Sequence, residues 1–245
     1  MSLIEKTTWQ INEQPLPVEI HRERRRGWRY AFGKKNLIVR LPIINLTEES
    51  ILIKQIKISL SDKMAKKPML KQFFNTKSYY DGQTINIGSR NYVLKFHKAE
   101  KKSSSAKLLS NRTIEFVFAE NLLPAQQSEI AGVLISRIAA QDALPQFSRR
   151  VHELNYLFFK KNVKSISFKN NHSNWGSCSS KSNLNFSTRL LFTPEDVQDY
   201  VIIHELAHLT EMNHSDRFWK LVEQAIPDYA EKEKWLKKYS NDCRF

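Results

Sequence analysis

Two histidines four residues apart enclose a glutamate in the stretch His204-Glu205-Leu206-Ala207-His208. On an α-helix, residues i and i+4 lie on one face about one turn apart, so both imidazoles can reach a single ion. Glu205 follows the first histidine directly, which puts its carboxylate beside a water at that ion rather than on the ion itself. This is the H-E-x-x-H arrangement of zinc hydrolases. Zinc brings the pKa of a bound water toward ~7, and the glutamate accepts its proton as general base and passes it to the leaving amine.

Catalytic zinc usually takes three protein ligands and keeps a position for water. His214 lies ten residues after His204, the spacing of H-E-x-x-H-x-x-G-x-x-H peptidases. Glu211 stands where those peptidases have glycine, and no methionine follows Met212, so their downstream Met-turn is excluded. Asn213 would then make the turn toward the metal in a left-handed conformation. Glu211, one turn beyond His208, and Glu223 on the following helix compete with His214 as third ligand. A structural zinc site would have no need of Glu205 and would usually recruit cysteine, and Cys178 and Cys243 make no zinc-site spacing. Cys178 reads as a packed small residue. A second electrophile for the developing oxyanion could come from Arg217, Tyr200 or Tyr229.

The elements that must position these groups are partly legible. Thr193-Pro194-Glu195-Asp196 opens the motif helix with a capping hydroxyl, a proline at the first helical position and acids in the first turn. Val197, Val201, Ile202, Leu206 and Leu209 then run nearly all round a helix expected to reach Met212, so that helix is buried. Ser215 caps a further helix carrying Phe218, Trp219, Val222 and Ile226, and a last helix runs through Trp235. Upstream, Ser165–Phe168, Trp175–Ser179 and Leu184–Ser187 read as a compact β segment, with Ser180-Lys181-Ser182-Asn183 as a turn. An exposed edge there could take an extended peptide as an added strand, with Trp175 as a candidate substrate contact.

Earlier still, Ala125–Ala143 reads as a helix ended by Pro145, followed by a second helix over about Gln146–Lys161. The first half reads mostly as strands: Val18–Ile20, Trp28–Phe32, Leu37–Leu41, Thr84–Ile87, Tyr92–Phe96 and Thr113–Phe118. Gly88-Ser89-Arg90-Asn91 is the expected turn, and Lys101–Lys107 an exposed loop. Between the strands a helix capped by Thr47 spans about Glu48–Lys66, with Leu52, Ile56 and Leu60 on one side. No internal repeat is evident. The expected architecture is α+β, with a basic β-rich region over 1–120 and a metallopeptidase domain over 121–245.

The 245 residues carry a formal charge of +14, most of it in the first half. Residues 1–120 hold 23 Lys and Arg against 11 Asp and Glu, whereas residues 121–245 hold 16 against 14. His21-Arg22-Glu23-Arg24-Arg25-Arg26, followed by Trp28, Arg29 and Tyr30, mixes charge with stackable rings, so nucleic acid is a candidate partner of this half. The rival reading is a strand with a basic solvent face. No stretch reaches ~18 apolar residues, and the first residues lack the apolar core of a signal peptide. A soluble cytoplasmic protein that acts on polypeptides and binds no membrane is the expectation.

Taken in order, Trp175-Gly176-Ser177-Cys178-Ser179, Asn183-Leu184-Asn185-Phe186, His204-Glu205-Leu206-Ala207-His208 and Asn213-His214-Ser215-x-x-Phe218-Trp219 resemble the YgjP-like family of small zinc metallopeptidases. That family is related to the SprT-like and minigluzincin proteases. The resemblance is strong over about residues 145–240 and weaker over Pro17–Arg29 and Asn36–Pro42. It implies Zn2+ as cofactor, His204, His208 and His214 as its ligands, Glu205 as general base, and a zincin-like fold of helices packed on a small sheet. SprT-like relatives act on proteins attached to DNA, which extends the expectation to a DNA-associated protease.

Overall fold

A computed structural model describes residues 3–11, 14–33, 36–43, 48–66, 77–122 and 124–245. The chain divides into two compact units, Met1–Thr76 and Lys77–Phe245.

The first unit contains β1 (Leu3–Ile11), β2 (Gln14–Glu23), β3 (Arg29–Phe32), β4 (Leu37–Pro42) and α1 (Glu49–Lys66). The sheet order is β1-β2-β4-β3, with β2 and β4 parallel and the outer pairs antiparallel. Alternation decides which face is buried: Leu16, Val18 and Ile20 of β2 and Leu37, Val39 and Leu41 of β4 point into one core. Leu52, Ile56, Leu60 and Met64 recur every four residues on α1 and fill the other side of that core. Thr47, the expected cap of this helix, lies outside the described residues.

The second unit begins with the same topology. Strands β5 (Thr84–Ile87), β6 (Arg90–Ala99), β7 (Ser105–Leu108) and β8 (Thr113–Ala119) form a sheet of order β5-β6-β8-β7. Again the inner pair is parallel and the outer pairs antiparallel, and again a helix follows, α2 (Pro124–Leu154). The sequence shows no repeat because what recurs is apolar alternation and strand pairing, which many side chains satisfy.

Three expectations change here. The boundary between units falls at 76/77 rather than 120/121, because the second sheet buries Tyr92, Leu94, Ile114, Phe116 and Phe118 against Ala131, Ile135, Ile138, Ala139 and Ala143 of α2. The Lys101–Lys107 segment is not all loop: from Ser105 it forms the edge strand β7, paired with β8. The Gly88-Ser89-Arg90-Asn91 turn is shorter than expected, since β6 starts at Arg90. Gly88 has φ +59, and a Cβ there would lie 2.6 Å from the Leu191 carbonyl oxygen.

The helix expected to end before Pro145 runs through it as a single 31-residue α2. Pro145 and Gln141 both face solvent, so the Gln141 carbonyl that loses its partner can bond water. Beyond Pro145, the same helix contributes Phe147, Val151 and Leu154 to a separate core with the third sheet and the last helices. It ends in one π-helical turn, Asn155–Phe159, which Asn155 stabilises: its Nδ2 donates to the Lys161 carbonyl at 2.7 Å and its Oδ1 accepts from Lys161 N at 3.1 Å.

The remaining strands are β9 (Ser165–Lys169), β10 (Gly176–Cys178) and β11 (Asn183–Ser187), in the order β10-β11-β9. One face buries Leu184 and Phe186, with Ile166 and Phe168 packed beside them. The other carries Ser165 and Ser167, whose hydroxyls donate to Asn183 Oδ1 and Asn185 Oδ1 at 2.7 and 2.8 Å. Three helices complete the unit: α3 (Glu195–Ala207), α4 (Asp216–Ala225) and α5 (Tyr229–Tyr239). The whole is α+β, and among the described residues no helix is long and apolar enough to cross a membrane.

Candidate metal centre

Helix α3 starts one residue later than expected. Pro194 precedes it, Glu195 and Asp196 occupy its first turn, and Thr193 Oγ1 donates to the Leu190 carbonyl instead of capping. The helix ends at Ala207 rather than Met212. Leu209 N bonds Leu206 O, and Thr210 N and Glu211 N both bond Ala207 O, so the chain tightens into a turn. Asn213 does not adopt the expected left-handed conformation, since the described non-glycine residues with positive φ are Arg112, Lys160 and Ser182. Its Oδ1 accepts from Ser215 N at 3.1 Å, an Asx-type turn that reverses the chain without positive φ. Ser215 then caps α4 by accepting from Phe218 N, as its sequence position predicts.

This path brings His204, in the last turn of α3, His208, at its C-cap, and His214, just before α4, to one place. One ring nitrogen from each lies within 4.8 Å of the others, and His204 Nε2 is 3.1 Å from His214 Nε2. His208 Nδ1 is 3.1 Å from the Glu211 carbonyl oxygen. With Nδ1 donating there, Nε2 keeps its lone pair for the cluster. The Glu211 and Glu223 carboxylates, the rival third ligands, are not among the converging donors.

The cluster rests on aromatic side chains. Phe218 is fully buried, with ring centroids 4.9, 4.5 and 4.8 Å from those of His204, His208 and His214. Trp219 stacks on His214, and Tyr229 stacks on Trp219. Burial, followed by the neighbouring imidazoles, pushes the His204 pKa down to about 3, and burial also lowers that of His208. Both rings are therefore neutral at physiological pH, the form that binds a metal.

Glu205, on α3, lies against Gly176 at the start of β10. It is 5% exposed, its Oε2 is buried without a hydrogen-bond partner, and burial pushes its pKa up to about 8. His204 Nδ1 is buried without a partner as well. A buried carboxylate next in sequence to His204, with one oxygen unpaired, is costly to bury alone, and a divalent cation would offset that cost. Three imidazole nitrogens and no thiolate also suit a zinc site that keeps a position for water.

The other candidate contacts are placed less centrally. The Arg217 side chain is exposed in the first turn of α4. Tyr229 stacks on Trp219, and Tyr200 is buried with its ring edge-on to His204 at 6.0 Å, its phenol pushed up to about 12 chiefly by desolvation. Trp175 is half-buried, with the Arg189 guanidinium 4.2 Å from its ring centroid. Cys178 packs against the core, its thiol pushed up to about 11 by burial and then by Glu205. In the first unit, Trp28 stacks on Tyr30 and both pack against that unit's core, while Arg22, Arg25 and Arg40 pair with carboxylates.

In the sequence, Phe218 and Gly176 have only their places in motifs or elements, and Arg189 is not singled out. A glycine inside a strand was the one available signal, because it marks a close approach by another group.

The profile of the family described as YgjP-like, metallopeptidase domain, matches residues 33–239. No curated protein matches. Among solved structures, the metallopeptidase zymogen abylysin of Pyrococcus abyssi is 20% identical, with a TM-score of 0.35, over 38% of this chain and 95% of its own. The zymogen jannalysin of Methanocaldococcus jannaschii is likewise 20% identical, with a TM-score of 0.34, over 38% of this chain and 94% of its own.

Proposed function

This chain belongs to the YgjP-like metallopeptidase family, and from that premise we propose that it is a zinc-dependent endopeptidase in which His204, His208 and His214 hold the ion and Glu205 is the general base. The observation that carries this reading is the convergence of three imidazole nitrogens within 4.8 Å beside a buried carboxylate with an unpartnered oxygen. When bound, zinc supplies Lewis acidity, which makes water a nucleophile at neutral pH and polarises the scissile carbonyl.

The chain's own groups do the rest. Glu205 Oε2, free of hydrogen bonds, takes a proton from water and returns it to the leaving amine. The Glu211 carbonyl fixes the His208 ring through Nδ1, and Phe218 fixes the planes of all three rings by contact.

The substrate lies as an extended strand along β10, the edge of its sheet. Ser187 N bonds Trp175 O at 2.7 Å and Ser179 N bonds Asn183 O at 3.0 Å, so residues 175, 177 and 179 face β11 with their main-chain groups. Gly176 and Cys178 therefore direct theirs outward. Asn174 Nδ2 occupies the Gly176 carbonyl at 2.9 Å. A peptide strand would pair with the Gly176 N–H and the Cys178 main chain, next to Glu205.

The test is zinc content and hydrolysis of unfolded casein by the wild type and Glu205→Gln. We expect about one zinc per chain in both and a rate about 10²–10⁴-fold lower in the variant. Equal rates refute the assigned base, and a pure protein that takes up no zinc refutes the site.

A further inference from the structure

Gly176 opens β10 opposite Phe186, on the face of the sheet that packs toward α3. A Cβ at this position would lie 2.5 Å from Glu205 Oε1, 2.6 Å from Cγ and 2.8 Å from Cδ. Real Cβ atoms essentially never make contacts that short. The clash includes Cγ, one bond from the helix-anchored Cβ of Glu205, so swinging the carboxylate tip does not relieve it. The rotamer about Cα–Cβ, or the helix itself, has to change.

The backbone gives no other reason for glycine here. The glycines with positive φ are Gly82 and Gly88, so alanine could adopt the conformation of residue 176. We propose that Gly176 is a positioning residue: its missing side chain is the seat of the Glu205 carboxylate, holding it between the three imidazoles and a substrate paired with the same strand. This rests on the reading of Glu205 as the base.

Whether the strand or the acid would yield is decided by what braces the strand. Trp175 O accepts from Ser187 N, and Gly176 O accepts from Asn174 Nδ2. The Trp175 ring lies against the guanidinium of Arg189, a buried side chain. Arg189 Nε donates to the Cys243 carbonyl at 2.9 Å and one terminal nitrogen to the His172 carbonyl at 3.0 Å, while the other binds the Ser240 carbonyl. The strand is thus held from outside by Ser187 and Arg189, and within its own segment by Asn174. A methyl group on residue 176 therefore displaces Glu205, whose carboxylate has no hydrogen bond at Oε2 to hold it.

The experiment is Gly176→Ala in the zinc-loaded full chain, with hydrolysis, zinc content and thermal melting read together. We expect unchanged zinc occupancy, KM within about twofold and kcat lower by about 100-fold, the scale of a misplacement of about 1 Å. The same substitution is also made in the Glu205→Ala background. It should lower the melting temperature when Glu205 is present but not in the Glu205→Ala background, where the clashing atoms are gone. Unchanged kcat, or an equal melting loss in both backgrounds, overturns the proposal. If Gly176→Ala does not fold, recovery of folding in Gly176→Ala/Glu205→Ala supports the shared space, and failure to recover overturns it. A fully active Glu205→Gln would instead refute the base, an outcome separate from the melting comparison.

Discussion

Removing the charge on Glu205 should stabilise the metal-free protein, by an amount that depends on pH. Burial raises the pKa of this carboxyl from 4.5 to about 8 in the folded chain. Between those values the folded chain keeps a proton that the unfolded chain releases, so the contribution to stability is full below pH 4.5 and declines as pH rises toward 8. Each pH unit costs about 1.4 kcal/mol, which gives a loss of the order of 1 kcal/mol by pH 5.5 and about 3 kcal/mol by pH 7. At 5% exposure, little solvent screening reduces this. Glu205→Gln keeps the shape and the buried neutral amide but does not titrate. It should match the wild type near pH 4.5, exceed it by about 3 kcal/mol at pH 7, and melt about 6–12 °C higher there. The assay is thermal or urea unfolding of chelator-treated protein at several pH values. Every other ionisable group is common to the two proteins and cancels in the difference. Saturating zinc should narrow the gap, because a cation favours the ionised carboxylate. A gap independent of pH, or of opposite sign, refutes the reasoning.

Two further substitutions test other parts of the structure. If roughly 10–16 kcal/mol of zinc binding is shared among about four ligands, His214→Ala should weaken zinc by about 100-fold or more, read by competition with a chromophoric chelator; unchanged affinity removes His214 from the ligand set. Pro145→Ala should restore a donor to the Gln141 carbonyl within α2 and stabilise the protein by about 1–3 kcal/mol in urea unfolding, with zinc binding unchanged.

The parts legible in the sequence were those with local causes. The buried helix carrying His204, the Ser215 cap and the β segment before them follow from periodicity and capping chemistry, which act within a few residues. Apolar alternation likewise marked most strands. What failed depended on partners remote in sequence. Pro145 reads as a helix end unless one knows that its face of α2 meets water. Ser105–Leu108 reads as loop because only pairing with β8 makes it a strand. The unit boundary at 76/77 depends on which helix covers the second sheet. The doubled strand order 1-2-4-3 is a property of pairing and leaves no residue-by-residue trace. At the site, spacing indicated the three histidines and Glu205, but nothing local revealed that Gly176 lies against that glutamate or that Arg189 braces the strand.

Helix α3 ends between its two histidines. His204 belongs to the last turn, whereas the His208 N–H reaches the His204 carbonyl at 3.4 Å, a long bond at the point where the helix gives way to the turn. An ion held by His204, His208 and His214 would tie a fraying helix end to the start of the next helix, suppressing local opening of the 208–214 segment. The same coupling runs in reverse, because binding and local order stabilise each other by equal free energies. Residues that set the order of this turn, Asn213 foremost among them, are therefore determinants of metal affinity although they contribute no ligand atom.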